Sequence, residues 1–434
     1  MVGAISLVGC DSVPPPDPTP TSESSRVQPV VLNDARSLEQ RIGTRFSASS
    51  WEGLTNIGVE RIRVPPMTGG GAIWGSLGVD DRGHAWLGVS ANEWEQSAQL
   101  YELDTGGELH ARGRVSDALA AAKLPEGATQ NKIHTKLHQA DDGYLYFAST
   151  DETDENFASD KPPRWGGHLW RIKPGSAQWE HVLSVPEGIV ALNAVGRWVY
   201  VLGYWNHVLY QFDVATRRHR RVVVGSACGH VSRNFLVDLN GSAYVPRITS
   251  GANDRAGKCE SAEFIAELVE IEPDQLAVAG TTPLSQYFGP TSPSESHGIV
   301  SYTGLNDSSF LFVTHAGAMY HLLPLPDTES MTLDLGFLHP DGEAYVPSLY
   351  SPDGEQFVVA VGRTKGGELS WIRRDLKARR AEAEPLPDAF RSRGQLLYGS
   401  MARLSDGTFL VAGRRVAVGL GQPDLVLIKP GRAN

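Results

Sequence analysis

The chain is 434 residues long, 41% hydrophobic and 21% charged, a composition that builds packed cores and excludes a disordered polymer. A net charge of -11 carries the wrong sign for a general nucleic-acid binder. No run of 18 apolar residues occurs, so no helix is expected to cross a bilayer, and 46 glycines with 27 prolines mark a chain rich in turns.

The first residues read MVGAISLVGCDS, and Leu7-Val8-Gly9-Cys10 resembles the lipobox of bacterial lipoproteins. In that motif a short apolar run ends in small residues and the cysteine thiol takes the lipid. The resemblance implies lipidation of Cys10 and a signal peptide that continues from an upstream start. Asp11 behind it resembles an inner-membrane retention signal. Residues 1–30 read as lipobox remnant and tether, because Pro14, Pro15, Pro16, Pro18 and Pro20 are interleaved with Thr and followed by Ser. The expected location is the cell envelope or periplasm, lipid-anchored, or secreted, with the membrane reached only through the lipid. Setting Cys10 aside leaves Cys228 and Cys259, an even pair suited to a disulfide in an oxidising compartment. A zinc site using both thiols with His230 or His219 is the alternative.

From residue 72 onward one unit of about 50 residues recurs. Each copy gives a short strand, a turn, a second strand of β-branched and aromatic residues, and a third strand of the type LYELD. The first two strands fall at 72–89, 132–150, 191–203, 230–247, 297–315, 344–361 and 396–413. Their turns carry Asp81-Arg82-Gly83, Asp142-Gly143, Gly196, Asn240-Gly241, Asp307, Asp353-Gly354 and Asp406-Gly407, residue types that tolerate the positive φ of tight hairpins. Seven such units closing radially make an all-β, seven-bladed β-propeller of four-stranded antiparallel blades, a single domain over 50–434. Residues 116–123 read as one short helical connector, so no crossover helix supports an α/β fold. The last copy lacks a fourth strand after Lys429, and residues 58–64 are expected to supply it and close the ring.

First strands line the axis of a propeller, so their side chains meet whatever their sequence distance. Here they carry Trp74, His134, Lys136, Asn193, His230, Arg233, His297, Ser348, Tyr350, Tyr398 and Arg403, polar types set among Val, Leu and Ile. A wet channel tolerates such groups, but three histidines and two arginines on different blades point to a binding site. Nearby loops add Gly166-Gly167-His168, Tyr204-Trp205-Asn206-His207 and Tyr244-Val245-Pro246-Arg247. Asp151, Glu152, Asp154, Glu155 and Asp160 form an acidic loop, read first as solvated and second as a calcium site. The chain contains no GxSxG, HExxH or P-loop, and Gly69-Gly70-Gly71 precedes a strand rather than a helix.

Ile133-His134-Thr135-Lys136-Leu137, Asp142-Gly143-Tyr144-Leu145-Tyr146-Phe147 and Gly166-Gly167-His168-Leu169-Trp170 together resemble the second blade of seven-bladed ulvan lyases. Ser232-Arg233-Asn234, before Asp238, Gly241 and Tyr244, resembles their arginine-bearing strand. The resemblance implies β-elimination on a uronic-acid polysaccharide, with His134, His168 and Arg233 as catalytic residues. Tyr204, Tyr210 and Tyr244 compete for the tyrosine. Lys136, Asn193, Trp205, His207, His230, Arg247, His297 and Tyr398 are the expected substrate contacts. In this chemistry a cation neutralises the carboxylate, a base takes the C5 proton, and an acid protonates the leaving oxygen. No cofactor is required by it, structural zinc or calcium being the exceptions, and the protein is expected to act as a monomer on an acidic polysaccharide without nucleic acid. A non-catalytic propeller lipoprotein that binds a protein or glycan is the alternative. A metal-dependent hydrolase or lactonase would need several carboxylates at the axis, which the first strands do not offer.

Overall fold

Second and third strands rich in Val, Leu, Phe and Trp are apolar on both faces and need cover on both sides. The computed structural model supplies that cover by stacking seven sheets in a ring. It describes residues 51–93, 95–124, 130–156, 161–250, 264–288, 296–325, 330–387, 396–417 and 419–431. The expected tether over 1–30 with Cys10, and also Asp160 and Cys259, lie outside the described residues.

The sheets span 71–114, 132–185, 188–223, 236–283, 299–337, 344–385 and 396–429, here blades 1 to 7. All pair antiparallel, each strand with the next in the chain, except that in blades 1 and 2 two short inner pieces both pair with the second strand. The seventh blade takes its outer strand from the other end of the chain: Gly58–Ile62 pairs with Leu420–Lys429, from Gly58 opposite Lys429 to Ile62 opposite Leu425. Arg61 Nε reaches the buried Asp424 carboxylate at 2.8 Å across that join. The expected closing strand is thus found, ending at Ile62 rather than residue 64. The expected connector is the α-helix Val115–Ala121.

Burial follows radius and seam. Leu145–Thr150, Gly167–Ile172 and Val208–Asp213 are buried throughout, whereas the outermost strand of blade 3, Arg218–Val223, is exposed. Every seam between adjacent blades holds its own cluster of buried side chains. Trp86 and Trp170 meet between blades 1 and 2, and Trp371 and Phe409 between blades 6 and 7. Each such side chain stabilises by about 1.5–3 kcal/mol on leaving water. Turn chemistry repeats as well: the Asp80, Asp238 and Asp353 carboxylates accept backbone N–H groups two to four residues on. Gly83, at φ 80°, supplies the left-handed residue that such a turn needs.

The innermost strands are less regular than expected. Blade 1 breaks into Gly71–Ala72 and Leu77–Val79, and blade 2 into Lys132–Ile133 and His138–Gln139. In blade 4 only Leu236–Val237 is strand. Trp74, His134, Lys136, His230 and Arg233 therefore sit on segments outside the ladder, and His297 sits two residues before Ile299–Gly304.

Candidate functional site at the channel mouth

First strands begin, and second strands end, on the same face of the ring, as the pairing of Ile299 with Thr314 illustrates. On that face Trp74 of blade 1, His134 of blade 2 and Arg233 of blade 4 line one small space, and His297 and His315 of blade 5 pack with Tyr345 of blade 6 at element ends on the same face. Arg233 spans the axis, its Nη1 donating to the Trp74 carbonyl at 3.3 Å, and its backbone N–H donates to the His297 carbonyl at 3.0 Å. The Trp74 and His134 rings stand 6.0 Å apart. His297 Nδ1 lies 3.0 Å from the Tyr345 hydroxyl, and its backbone N–H donates to His315 Nδ1 at 2.9 Å.

Burial favours the neutral imidazole at His134 and His297. Burial pushes His134 well below the usual imidazole range, and Lys132, Arg233 and His297 repel a proton further. His297 is driven down by burial and then by Arg233 and His315. His134 Nε2 is buried and has no hydrogen-bond partner among the described residues. An unprotonated, unbonded ring nitrogen beside a guanidinium is chemically a base next to an anion receptor.

Of the residues expected to act, His134 and Arg233 share this space and His168 does not. His168 lies on the third strand of blade 2, opposite Ser149, which itself pairs with Ile133, so its backbone stands two strands, roughly 10 Å, out from the channel segment. Its Nδ1 meets His181 Nε2 at 3.1 Å and Ser184 Oγ at 3.0 Å, and burial pushes it down to about 4. Nor are the expected tyrosines at the channel. Tyr204 gives its hydroxyl to Glu155 at 3.0 Å, and Tyr210 gives its own to Glu187 at 2.7 Å. Tyr244 is buried in the seam between blades 4 and 5, bonded to Asp238 at 3.1 Å and Ser330 at 3.2 Å.

Several expected substrate contacts prove to be internal ties. Asn193 Nδ2 donates to the Phe235 carbonyl, and Arg247 pairs with Glu267 at 2.8 Å. His207 and His230 are fully buried with ring centroids 4.9 Å apart. His207 Nδ1 lies 2.7 Å from the Pro246 carbonyl, and His230 is held between Ser226 and Tyr287. Trp205 packs edge-on against Tyr204. Tyr398 lies on Leu396–Arg403 with its side chain outside the described part. Lys136 and His297 do border the channel.

The acidic loop uses its carboxylates locally. Asp151 accepts from the Thr153 and Trp165 N–H groups, Glu152 pairs with Lys132, Asp154 faces Arg164 at 3.8 Å, and Glu155 holds Tyr204. Cys228 is disulfide-bonded, and Cys259, its expected partner, lies outside the described residues.

His315 and Tyr345 were not expected at the site. Their signal was positional: one follows a second strand and the other opens a first strand, the two element ends that reach this face.

No protein-family model matches the sequence, and no curated protein matches it. Among solved structures the chain is similar to YCF48 bound to D1 peptide, at 14% identity over 87% of this chain and 96% of that one, with a TM-score of 0.49. It is similar to U3-55K at 11% identity over 86% and 98%, TM-score 0.48. It is also similar to the WD40 β-propeller domain of Doa1, at 11% identity over 86% and 98%, TM-score 0.45. The protein's own sheet order defines its class: a seven-bladed β-propeller of four-stranded antiparallel blades.

Proposed function

We propose that the protein is an envelope or secreted lyase that cleaves a uronic-acid-containing polysaccharide by β-elimination at the channel mouth. The observation that carries this reading is the meeting of Arg233 and the unbonded His134 Nε2 at one small space, with the Tyr345–His297 pair joined to Arg233 through the His297 carbonyl. These are the residue types the chemistry needs, although His297 and Tyr345 stand where His168 and another tyrosine were expected. Arg233 holds the uronate carboxylate and lowers the cost of negative charge developing at C5. His134 Nε2, sealed from the sugar ring, takes the C5 proton through the single water that the space admits. The electrons of that C–H bond form the C4=C5 double bond, and the C4–O pair departs with the leaving oxygen. Tyr345 protonates that oxygen while His297, with its proton on Nδ1, steadies the phenolate. The disulfide at Cys228 supports an oxidising location.

A propeller that binds an acidic glycan without cutting it is the second reading, favoured by one observation. The free space among Trp74, His134 and Arg233 is about 10 Å³, room for a single water, so a sugar has to lie across the mouth rather than within it.

Incubation with a panel of uronic-acid polymers tests both. The lyase reading expects an unsaturated product absorbing in the near ultraviolet, lost in Arg233→Ala mainly through kcat. Folded wild-type protein that binds the polymers but forms no such product establishes the second reading, and protein that neither binds nor cuts ends both.

A further inference from the structure

The channel has a second end. Lys136 leaves blade 2 in the gap between its two inner strand fragments and reaches across the axis to blade 5, where Nζ stands 3.8 Å from the ring centroid of Tyr302. The Tyr302 hydroxyl also meets His138 Nε2 of blade 2 at 3.5 Å. This bridge divides the channel. Lys136 borders both halves: the narrow space beside Trp74 and His134, and a cavity of about 720 Å³ beyond it. The larger cavity opens on the opposite face of the ring, where Asp81, Gly83 and Ser405 stand at its edge.

Its lining is mixed. Val79, Met401 and Leu404 present half-buried apolar surface, and Tyr302 and Tyr350 add aromatic walls. The charges around it are unequal. Asp80 is engaged by Arg82 and Trp86, and Arg82 also binds Glu102. Arg403 donates Nη1 to the Pro352 carbonyl at 3.1 Å. Lys136 has no carboxylate within ion-pair distance among the described residues. A cation withdrawn from water without a counter-charge costs free energy that an incoming anion recovers. Cavities of about 300–1,000 Å³ with few polar groups on apolar walls are the usual form of small-molecule sites.

We propose that this cavity is a second binding site, for a small amphiphilic carboxylate such as an aromatic or short-chain organic acid. The carboxylate meets Lys136, and the apolar body lies against Val79, Met401 and Leu404. The site stands apart from the reaction proposed at the mouth. Burial pushes the Lys136 ammonium down to about 7, and an anion beside it raises that value again. Binding above neutral pH therefore draws a proton from solvent. Tyr302, which burial keeps protonated, and His138 face Lys136, while Arg403, Tyr350, Arg82 and Asp81 surround the cavity.

Calorimetric titration of benzoate into the full chain tests this. Wild type is expected to bind benzoate and not benzyl alcohol, with a heat at about pH 8 that depends on the buffer's ionisation heat in the sense of proton uptake. Lys136→Met is expected to weaken benzoate by about tenfold or more, while Arg233→Ala leaves it unchanged. Wild type that ignores benzoate, or folded Lys136→Met that binds it as well as wild type, overturns the proposal. Should Lys136→Met fail to fold, a wild-type heat independent of buffer overturns it equally. Loss of cleavage in Arg233→Ala with benzoate binding intact separates this site from the mouth.

Discussion

Tyr345 of blade 6 places its hydroxyl 3.0 Å from Nδ1 of His297 at the entry to blade 5, so the two join neighbouring blades through a single proton. With Tyr345→Phe the ring stays and the hydroxyl proposed as the acid goes. Product formation from a uronic-acid polymer should fall by about 10²–10⁴-fold in kcat, with KM and melting temperature little changed. An equal fall in melting temperature would assign the hydroxyl to seam stability instead.

His168→Ala should behave in the opposite way. It removes a buried ring from the outer side of blade 2 and leaves the half-buried His181 with only the exposed Ser184 as partner. A loss of about 0.5–1.5 kcal/mol per lost hydrogen bond in denaturant unfolding is expected, with cleavage or glycan binding preserved.

Glu155 gives a pH dependence. Burial pushes its carboxyl up to about 7, and Glu152 adds to the rise. The folded state then holds this proton more tightly than the unfolded chain. The resulting stability is fully present below the ordinary carboxylate range and is lost as pH rises through about 7. Wild type and Glu155→Gln should melt together near about pH 4, and the variant should melt higher near about pH 8.5. A constant difference across that range would refute the assignment.

Asp424 anchors the closing strand. It is buried, accepts from Arg61 at 2.8 Å and faces Arg415 at 3.7 Å. Asp424→Ala should cost about 1.5–3 kcal/mol of unfolding free energy, because it removes the charge-assisted bond but leaves both guanidiniums in reach of solvent, and Arg61→Ala less, since Arg415 remains beside the carboxylate. Urea midpoints at unchanged m-value measure both.

The ring was legible because the signals that build it are local and repeated. Asp-Gly turns and the LYELD-type strand each recur where the pleat requires them, and even the missing fourth strand of blade 7 could be sought elsewhere in the chain. The mouth was legible in part. His134, Arg233 and His297 open first strands, so radial convergence alone brings them together. His168 and Tyr244 carry the same residue types but stand on third and second strands, where His181, Ser184, Asp238 and Ser330 absorb their polarity. Those partners lie up to 86 residues away, and no spacing rule announces them. Lys136 was placed with the substrate contacts, yet its reach to Tyr302 depends on a break in the inner strand of blade 2 that the alternating pattern does not reveal.

The clasp between Gly58–Ile62 and Leu420–Lys429 also sets an order of events during synthesis. Arg61 and Asp424 are 363 positions apart, which at ribosomal speeds is a wait of roughly 20–70 s. Six blades can stack during that interval, each sealed against the one before it, while the clasp strand stays without its mate. Glu60, Arg61 and Arg63 give that waiting segment the charges that keep a lone strand from joining the wrong sheet. A chain that stalls before residue 420 therefore holds finished blades around an open wedge, and any quality control that senses unpaired strand edges reads incompleteness at that one gap.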